Sequence, residues 1–222
     1  MIESLTPQTL ELISRVDHTC LKPTARWDDI KKLAQEALTY HTASICIPPV
    51  YVEKARQTFG SELTICTVVG FPLGYQTSKT KAAEALELIR KGATELDMVI
   101  QSGWVQDGRF EDVLAELLLL REVCEDRVLK VIVETCYLDE AQKKQLCHLV
   151  AQSGADFIKT STGFGPSGAD LADIRLFRKL LPPQVRIKAA GGIHTRQQAE
   201  ALVDAGADRI GASSVLASLL KG

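Results

Sequence analysis

The sequence predicts a (β/α)8 barrel, and three observations support that fold class. Apolar runs of strand length alternate with helical patterns from one end of the 222 residues to the other. Alternating strand and helix units imply a parallel sheet whose connections lie on the outside, and eight such units in a chain of this length fit a closed barrel. A glycine-containing repeat supports the count, so residues 1–222 are expected to form a single domain.

Eight apolar runs have the length of strands rather than of helices. In a barrel, alternate residues of each strand point inward. In chain order, the predicted strands cover residues 15–19, 44–47, 63–70, 95–100, 128–135, 157–160, 185–190 and 209–213.

Between the strands lie stretches with apolar residues at three- and four-residue intervals, which is the spacing of one face of a helix. A short leading helix is predicted over residues 5–14. The other predicted helices include residues 28–40, 77–92, 110–124, 139–154 and 195–206.

The segments KGATELD, SGADFIK and AGADRIG each place Gly-Ala and a polar residue just before a strand. Their glycines, Gly92, Gly154 and Gly206, stand where the end of a helix needs a left-handed residue. The segments precede the fourth, sixth and eighth strands, so the repeating unit is two βα pairs. The alternative is an open, doubly wound sheet, but no GxGxxG motif follows the first strand.

The composition argues against nucleic-acid binding and membrane insertion. Hydrophobic residues make up 45% of the chain and charged residues 24%, with a net charge of -2 and a pI of about 6.1. Such values do not indicate a surface for nucleic acid or for acidic membranes. The longest apolar run covers residues 117–120, and the chain does not open on a basic segment followed by an apolar one. A cytoplasmic protein is expected.

Six cysteines have irregular spacing and no C-x-x-C pair, which favours reduced, mostly buried thiols over a disulfide framework or a zinc site. Cys46 is the one cysteine whose place near a strand end suggests a chemical role. The four histidines are scattered without an H-E-x-x-H motif, so no metal site is predicted.

Several polar residues lie near strand ends, where barrel enzymes carry their active sites. Taken alone, each is more often a solvated loop residue or half of an ion pair. Three lysines and three carboxylates from five strands, however, predict a mutually compensated polar interior. Lys130 and Glu134 are interpreted as supporting ion pairs within it. The residues are Asp17, Thr19, Asp97, Lys130, Glu134, Lys159, Lys188, Ser213 and Ser214.

Two of these lysines and one aspartate suggest Schiff-base chemistry. A lysine attacks a carbonyl only as the free amine, which is rare at neutral pH. A second ammonium nearby favours the amine, as does burial, and Lys188 is placed to supply that charge beside Lys159. Asp97 can then move protons to and from the intermediates. The hydroxyls of residues 160–162 are expected to orient water and substrate hydroxyls.

Glycine-containing loops follow the last three strands and predict a phosphate site. Glycine lets backbone N–H groups approach an anion, and the next helix adds the positive end of its dipole. Loops after the seventh and eighth strands are the usual phosphate position in this fold. The need for a tight turn would explain the glycines of any one loop, but three such loops in succession favour a binding site for an anion. The residues are Gly163, Gly191, Gly192, Gly211, Ser213 and Ser214.

Eight motifs resemble the deoxyribose-phosphate aldolase family, in family order and over essentially the whole chain. They are VDHTCLKPTA, SICIPPVYV, TVVGFPLG, ELDMVI, KVIVETCYL, FIKTSTGF, IKAAGGI and RIGASS. The resemblance implies a class I aldolase that reversibly cleaves 2-deoxy-D-ribose 5-phosphate to acetaldehyde and D-glyceraldehyde 3-phosphate. It also implies that neither a metal nor an organic cofactor takes part.

The resemblance implies roles for individual residues. Lys159 of FIKTS is the Schiff-base lysine, and Lys188 of IKAAGG perturbs it and takes part in proton transfer. Asp97 of ELDMV donates and accepts protons, and Asp17 of VDHT supports that relay. One departure concerns Phe164, which stands where some members carry a lysine after KTSTG. The expected substrate- and phosphate-binding residues also include Thr19 and Thr162.

Two other functions remain open from the residues alone. One is a different Schiff-base barrel with another donor, similar to a transaldolase. The other is a barrel that binds sugar phosphates without catalysis, which the paired lysines and the aspartate disfavour. The residues do not identify the aldehyde donor, whereas the family motifs favour acetaldehyde. The expected partners are a small sugar phosphate and an aldehyde, and the chain is a candidate homodimer or homotetramer.

Overall fold

The computed structural model describes residues 5–220 and shows a closed barrel of eight strands, which confirms the predicted fold class. Each strand pairs in parallel with the next one along the chain, and the last pairs with the first. The strands are β1 Val16–Thr19, β2 Ser44–Ile47, β3 Ile65–Val69, β4 Glu95–Val99, β5 Val128–Ile132, β6 Phe157–Lys159, β7 Arg186–Ala190 and β8 Arg209–Ala212.

The part of the chain that the structure describes contains ten α-helices. The six predicted from apolar spacing, including the leading helix, all form within two residues of their expected bounds. No helix in residues 5–220 is both long and apolar enough to cross a bilayer. The helices are α1 Pro7–Ser14, α2 Trp27–Tyr40, α3 Val52–Phe59, α4 Ser78–Arg90, α5 Ser102–Gln106, α6 Phe110–Cys124, α7 Glu140–Ser153, α8 Leu171–Leu180, α9 Arg196–Asp204 and α10 Val215–Leu219.

Local hydrogen bonds explain where helix α7 begins and ends. The Asp139 carboxylate accepts the backbone N–H of Gln142 at 2.8 Å, and the Gln142 side chain accepts that of Asp139 at 3.0 Å. This capping box satisfies two N–H groups that would otherwise lack partners. The helix ends at Gly154, whose φ of 74° is the left-handed conformation that the repeat predicted. Gly92 and Gly206 also have positive φ.

The main apolar core lies between the strands and the surrounding helices. Ile45 and Ile47 of β2, for example, belong to the same buried cluster as Ile30 of α2. A second, smaller cluster contains Cys46 and Cys66. Outward residues of the strands thus form the core with the helices, while inward residues are free for other roles.

Strand β5 ends at Ile132, earlier than the predicted end at residue 135. Glu134 adopts φ 51° and ψ 68°, and its carboxylate accepts the backbone N–H of Thr162, so the chain leaves the extended conformation. Glu134 therefore does not share the inward parity of Lys130. The interpretation as a supporting ion pair is confirmed for Lys130, but it is wrong for Glu134, which forms no ion pair within residues 5–220.

A buried ion pair outside the barrel contacts the C-terminal end of β4, the strand that carries Asp97. The Lys81 ammonium of α4 lies 3.0 Å from the Glu116 carboxylate of α6, and both side chains are fully buried. Lys81 also donates to the backbone oxygen of Val99, the last residue of β4, at 2.7 Å. Burial lowers the pKa of Lys81, although Glu116 opposes that change.

Replacing Lys81 with Met is expected to lower the free energy of unfolding by about 3–5 kcal/mol, because Glu116 would remain as a buried, unpaired charge. The double variant Lys81→Met/Glu116→Leu is expected to recover most of that loss, since it removes both charges together. Urea unfolding of the three proteins measures the difference. A single variant as stable as the wild type would show that the pair contributes no net stability.

Candidate active site

The four ionisable side chains predicted for catalysis lie inside the barrel. Lys159 ends β6, and its register partner on β7 is Lys188. Asp97 lies in β4 and Asp17 in β1. All four are at most 3% exposed. Closure of the barrel therefore brings together residues that are far apart in the sequence.

The Asp97 carboxylate is the centre of this group. Its Oδ2 accepts hydrogen bonds from Nζ of Lys159 at 2.8 Å and of Lys188 at 2.6 Å. Its Oδ1 accepts one from Nζ of Lys130 at 2.8 Å. Burial alone would raise the pKa of Asp97, but the three ammonium groups hold it well below its usual value. Asp97 is thus an ionised carboxylate that shares one oxygen between two lysines.

Lys188 lies between two carboxylates. Its Nζ is 2.6 Å from Oδ2 of Asp17 and 2.6 Å from Oδ2 of Asp97. Burial alone would lower the pKa of Lys188, but the two carboxylates raise it above its usual value. At neutral pH Lys188 is therefore an ammonium group, which donates a hydrogen bond to Asp97.

A further set of charges lies beneath this group, toward the start of the strands. Lys130 Nζ is 2.6 Å from Glu95 Oε2. Arg209 donates to Asp17 at 2.6 Å and to Glu95 at 3.0 Å. Sequence reasoning missed Glu95 and Arg209, although Glu95 precedes Asp97 by two residues and so shares its inward parity. Period-two spacing was the signal that could have found them.

Two buried cysteines, Cys46 and Cys66, meet inside the barrel. Cys46 and Cys66 are register partners on β2 and β3, and the Cys66 thiol lies 3.1 Å from Oδ1 of Asp97. Burial, together with Cys46 and Asp97, raises the pKa of Cys66 well above its usual value.

These thiols bear on whether a metal ion fits the site. Two groups of three residues each bring their possible ligand atoms within 4.8 Å of one another. The first is Cys46, Cys66 and Asp97, and the second is Asp17, Cys66 and Glu95. Lys130 Nζ, however, already lies 3.2 Å from the Cys66 sulfur and 2.8 Å from Asp97. A metal ion would therefore have to displace an ammonium group from these ligands, which disfavours metal binding here.

The glycine loops after β6 and β7 lie against each other at the C-terminal end of the barrel. Gly163, Gly191 and Gly192 have φ of 86°, 86° and 73°. A Cβ on Gly191 would lie 3.4 Å from Cα of Gly163 and 3.0 Å from Cα of Gly168, so glycine permits this close approach. Within residues 5–220, the backbone N–H groups of Gly163 and Gly192 have no acceptor. Unpaired N–H groups at positive φ are suited to an oxyanion.

Ser213 and Ser214 follow β8 and are exposed beside these loops. The Ser214 hydroxyl lies 3.2 Å from Nδ1 of His194, which follows the loop after β7. The contact joins the two loops, a connection that the scattered histidines did not reveal in the sequence.

Gly211 and Thr19 have structural contacts of their own. Gly211 lies within β8 rather than in the loop after it, and a Cβ there would be 2.9 Å from Cε of Lys188. Its lack of a side chain thus leaves room for Lys188. Thr19, at the end of β1, is half-buried, and its hydroxyl donates to the backbone oxygen of Asp17 at 2.7 Å.

The three hydroxyl residues after Lys159 differ in their partners. Thr160 exchanges hydrogen bonds with the backbone of Ala190 at 3.2 and 3.1 Å. Thr162 donates to Glu134 from both its hydroxyl and its backbone N–H. Ser161 is buried, and its hydroxyl has no partner in the described residues. The expectation that all three orient the substrate is therefore wrong for Thr160, whose hydroxyl is bound to the neighbouring strand.

Two phenylalanines meet at the mouth of the barrel. The rings of Phe71, after β3, and Phe164, after β6, lie 5.3 Å apart in an edge-to-face contact. Phe164 is 50% exposed. At the position where some family members carry lysine, this side chain offers an apolar surface instead of a charge.

Comparison with known proteins identifies relatives over the whole barrel. A family profile described as DeoC/LacD family aldolase matches residues 12–221. A deoxyribose-phosphate aldolase from Clostridium botulinum (strain Alaska E43) is 49% identical over 212 residues, covering 96% of each chain. A protein of the same name from Clostridioides difficile (strain 630) is 47% identical over 204 residues, covering 92% of this chain and 93% of that one.

Solved structures of similar proteins also match almost the whole chain. A putative deoxyribose-phosphate aldolase from Coccidioides immitis is 33% identical with a TM-score of 0.93, covering 99% of this chain and 92% of that one. A deoxyribose phosphate aldolase from Aeropyrum pernix, described as a unique tetramer, is 33% identical with a TM-score of 0.86. That match covers 96% of this chain and 91% of the other.

Proposed function

The chain belongs to the DeoC/LacD family of aldolases, and from this premise we propose that it reversibly cleaves 2-deoxy-D-ribose 5-phosphate to acetaldehyde and D-glyceraldehyde 3-phosphate. One observation carries the proposal. The Lys159 amino group ends a barrel strand and lies 2.8 Å from a carboxylate oxygen of Asp97, which it shares with Lys188. The names of the relatives support the choice of substrate.

The charges around the site support Lys159 as the nucleophile. The buried network joins three carboxylates to four basic side chains, so it is balanced when one basic group is neutral. Lys159 pairs with Asp97 alone, whereas Lys188 and Lys130 each lie close to more than one carboxylate. Lys159 is also the last residue of β6, at the end of the barrel that faces the glycine loops. We therefore assign the reactive amine to Lys159.

The proposed reaction begins when the Lys159 amine attacks the aldehyde carbon of the open-chain sugar. Loss of water gives an iminium ion, which draws electrons from the bond between C2 and C3. The C3 hydroxyl loses its proton as that bond breaks, so C3 leaves as the aldehyde of glyceraldehyde 3-phosphate and C2 remains as an enamine. Protonation of C2 and addition of water release acetaldehyde and restore the amine.

Asp97 and Lys188 are placed to move the protons of these steps. The Asp97 carboxylate accepts hydrogen bonds from both lysines, and the Lys188 ammonium is a donor next to it. Asp17 holds Lys188 from the opposite side, 2.6 Å away. Asp97 thus acts as acceptor, Lys188 as donor, and Asp17 as support for the relay.

The substrate phosphate is assigned to the loops after β6, β7 and β8. The free N–H groups of Gly163 and Gly192, with the exposed Ser213 and Ser214, supply donors without a positively charged side chain. This site lies at the same end of the barrel as Lys159, which the proposal requires of a sugar whose aldehyde meets Lys159 while its phosphate binds the loops.

Removal of the phosphate from the substrate is expected to lower kcat/KM by about three orders of magnitude. Several charge-assisted hydrogen bonds would be lost, at roughly 1.5–3 kcal/mol each. Release of acetaldehyde from 2-deoxy-D-ribose and from its 5-phosphate measures the ratio. Equal efficiency on both sugars would refute a dedicated phosphate site. Cleavage of a ketose phosphate instead of deoxyribose phosphate would favour the transaldolase-like alternative.

We also infer a cytoplasmic enzyme that forms a homodimer or homotetramer. All six cysteines are free and four of them are buried, which suits a reducing compartment. The tetramer described for the Aeropyrum pernix relative supports the assembly. Light scattering of the purified protein measures the subunit number, and a monomer would rule out both assemblies.

A further inference from the structure

Glu134 is a buried carboxylate that the proposed reaction does not use. It is 4% exposed, and its φ of 51° lies in the left-handed region that glutamate rarely adopts. It forms no ion pair within the described part of the chain, and its partners are neutral donors. A strained backbone and a buried carboxyl group without a cationic partner both cost stability. Such features persist where they serve a site.

Glu134 binds Thr162, the residue before Gly163, and reaches Phe164, the residue after it, only through the Thr162 hydroxyl. Its carboxylate oxygens accept the backbone N–H of Thr162 at 3.1 and 3.3 Å, together with the Thr162 hydroxyl. The oxygen of that hydroxyl in turn accepts the backbone N–H of Phe164 at 3.0 Å. The loop also packs closely on Glu134, because a Cβ on Gly165 would lie 3.3 Å from the carboxylate.

Within residues 162–164, this arrangement leaves one backbone N–H free. The N–H groups of Thr162 and Phe164 are taken up by Glu134, directly or through the Thr162 hydroxyl. The N–H of Gly163 between them has no acceptor in residues 5–220, and the residue lies against Gly191 of the neighbouring glycine loop. An anion at this end of the barrel therefore meets the N–H of Gly163 as the uncommitted donor of this segment.

We propose that Glu134 is a positioning residue that holds residues 162–164 in the shape in which Gly163 binds the phosphate of the substrate. The carboxylate acts through Thr162 and does not touch the phosphate, because contact between two anionic groups is unfavourable. The identity of the phosphate ester rests on the proposed function. The hydrogen bonds that hold the loop do not depend on the proposed function.

Two variants separate the side chain from the backbone conformation. Glu134→Gly removes the acceptor but keeps a residue that adopts positive φ without strain, so the variant is expected to fold. Glu134→Gln keeps an oxygen for the N–H of Thr162 at nearly the same size. Glu134→Gly is expected to raise KM for 2-deoxy-D-ribose 5-phosphate about tenfold or more, with kcat within about threefold. Glu134→Gln is expected to recover most of that KM.

Activity on unphosphorylated 2-deoxy-D-ribose distinguishes a role in phosphate binding from a merely structural one. A structural role would lower activity on both sugars, whereas a role in phosphate binding lowers it on the phosphorylated sugar alone. Glu134→Gly is expected to change its kcat/KM by less than about threefold, because no phosphate contact is lost there. An equal loss on both sugars would overturn the proposal, as would a Glu134→Gly variant with the KM of the wild type.

Inorganic phosphate provides a readout that does not depend on the sugar. It is expected to raise the melting temperature of the wild type and of Glu134→Gln more than that of Glu134→Gly. If the wild type does not cleave 2-deoxy-D-ribose 5-phosphate, the proposed function fails, while this difference in melting still decides the role of Glu134. Phosphate that stabilises all three proteins equally, or none of them, would overturn the proposal.

Discussion

Lys159→Leu is expected to abolish cleavage of 2-deoxy-D-ribose 5-phosphate while leaving the barrel folded. Leucine has no amine to form the iminium ion, so a loss of at least about 10⁴-fold is expected. The variant retains its fold because leucine fills part of the same buried space and Asp97 keeps Lys130 and Lys188 as partners, at 2.8 and 2.6 Å. Circular dichroism and the melting temperature check the fold.

Trapping the intermediate locates the nucleophile directly. Wild-type protein incubated with acetaldehyde and reduced with borohydride is expected to gain a two-carbon group on Lys159, identified by mass spectrometry of its peptides. Lys32→Leu is a suitable control, because that side chain is 77% exposed on α2 and far from the barrel interior. It is expected to form the same adduct as the wild type. A label on Lys188, with Lys159 unmodified, would overturn the assignment.

The alternation of strands and helices was readable from the sequence because each element buries one face and so shows a period. The end of β5 was not readable in this way. Glu134 leaves the strand because its carboxylate binds Thr162, a residue 28 positions away that only the closed barrel brings near. No local pattern carries that information, so a strand that continued to residue 135 was the natural expectation.

The site was predictable to the extent that strand ends meet in a barrel. Lys159, Lys188 and Asp97 are found in this way, and the structure brings them together on one oxygen. The contact of Cys46 with Cys66 was missed because it depends on the register between β2 and β3, which spacing along the chain does not reveal.

Lys130, Lys159 and Lys188 all lie in strand segments. The residues predicted Lys159 as the reactive amine with Lys188 as the neighbouring charge, and the family resemblance implies the same roles. The structure adds a physical reason, because the number of carboxylates around each lysine differs and Lys159 has the fewest.

Lys188→Leu is expected to slow cleavage at neutral pH by about a hundredfold or more. It is also expected to move formation of the Lys159 adduct to higher pH. In the wild type, Nζ of Lys188 and Nζ of Lys159 contact one carboxylate oxygen of Asp97, at 2.6 and 2.8 Å, so the Lys188 ammonium places a positive charge beside the amine that attacks the aldehyde. Without Lys188, that positive charge is absent from the site. The variant also lacks the proton donor next to Asp97.

Lys188→Arg separates these two effects, because arginine keeps the positive charge but does not give up its proton. Adduct formation on Lys159 is expected to follow the wild-type pH dependence in Lys188→Arg, while turnover stays slow. Both variants are expected to fold, since Asp17 keeps Arg209 at 2.6 Å, and melting temperatures check this. The measurement is the yield of borohydride-trapped adduct against pH in the three proteins. If the three curves coincide, Lys188 does not influence the charge of Lys159, and its contribution lies in proton transfer alone.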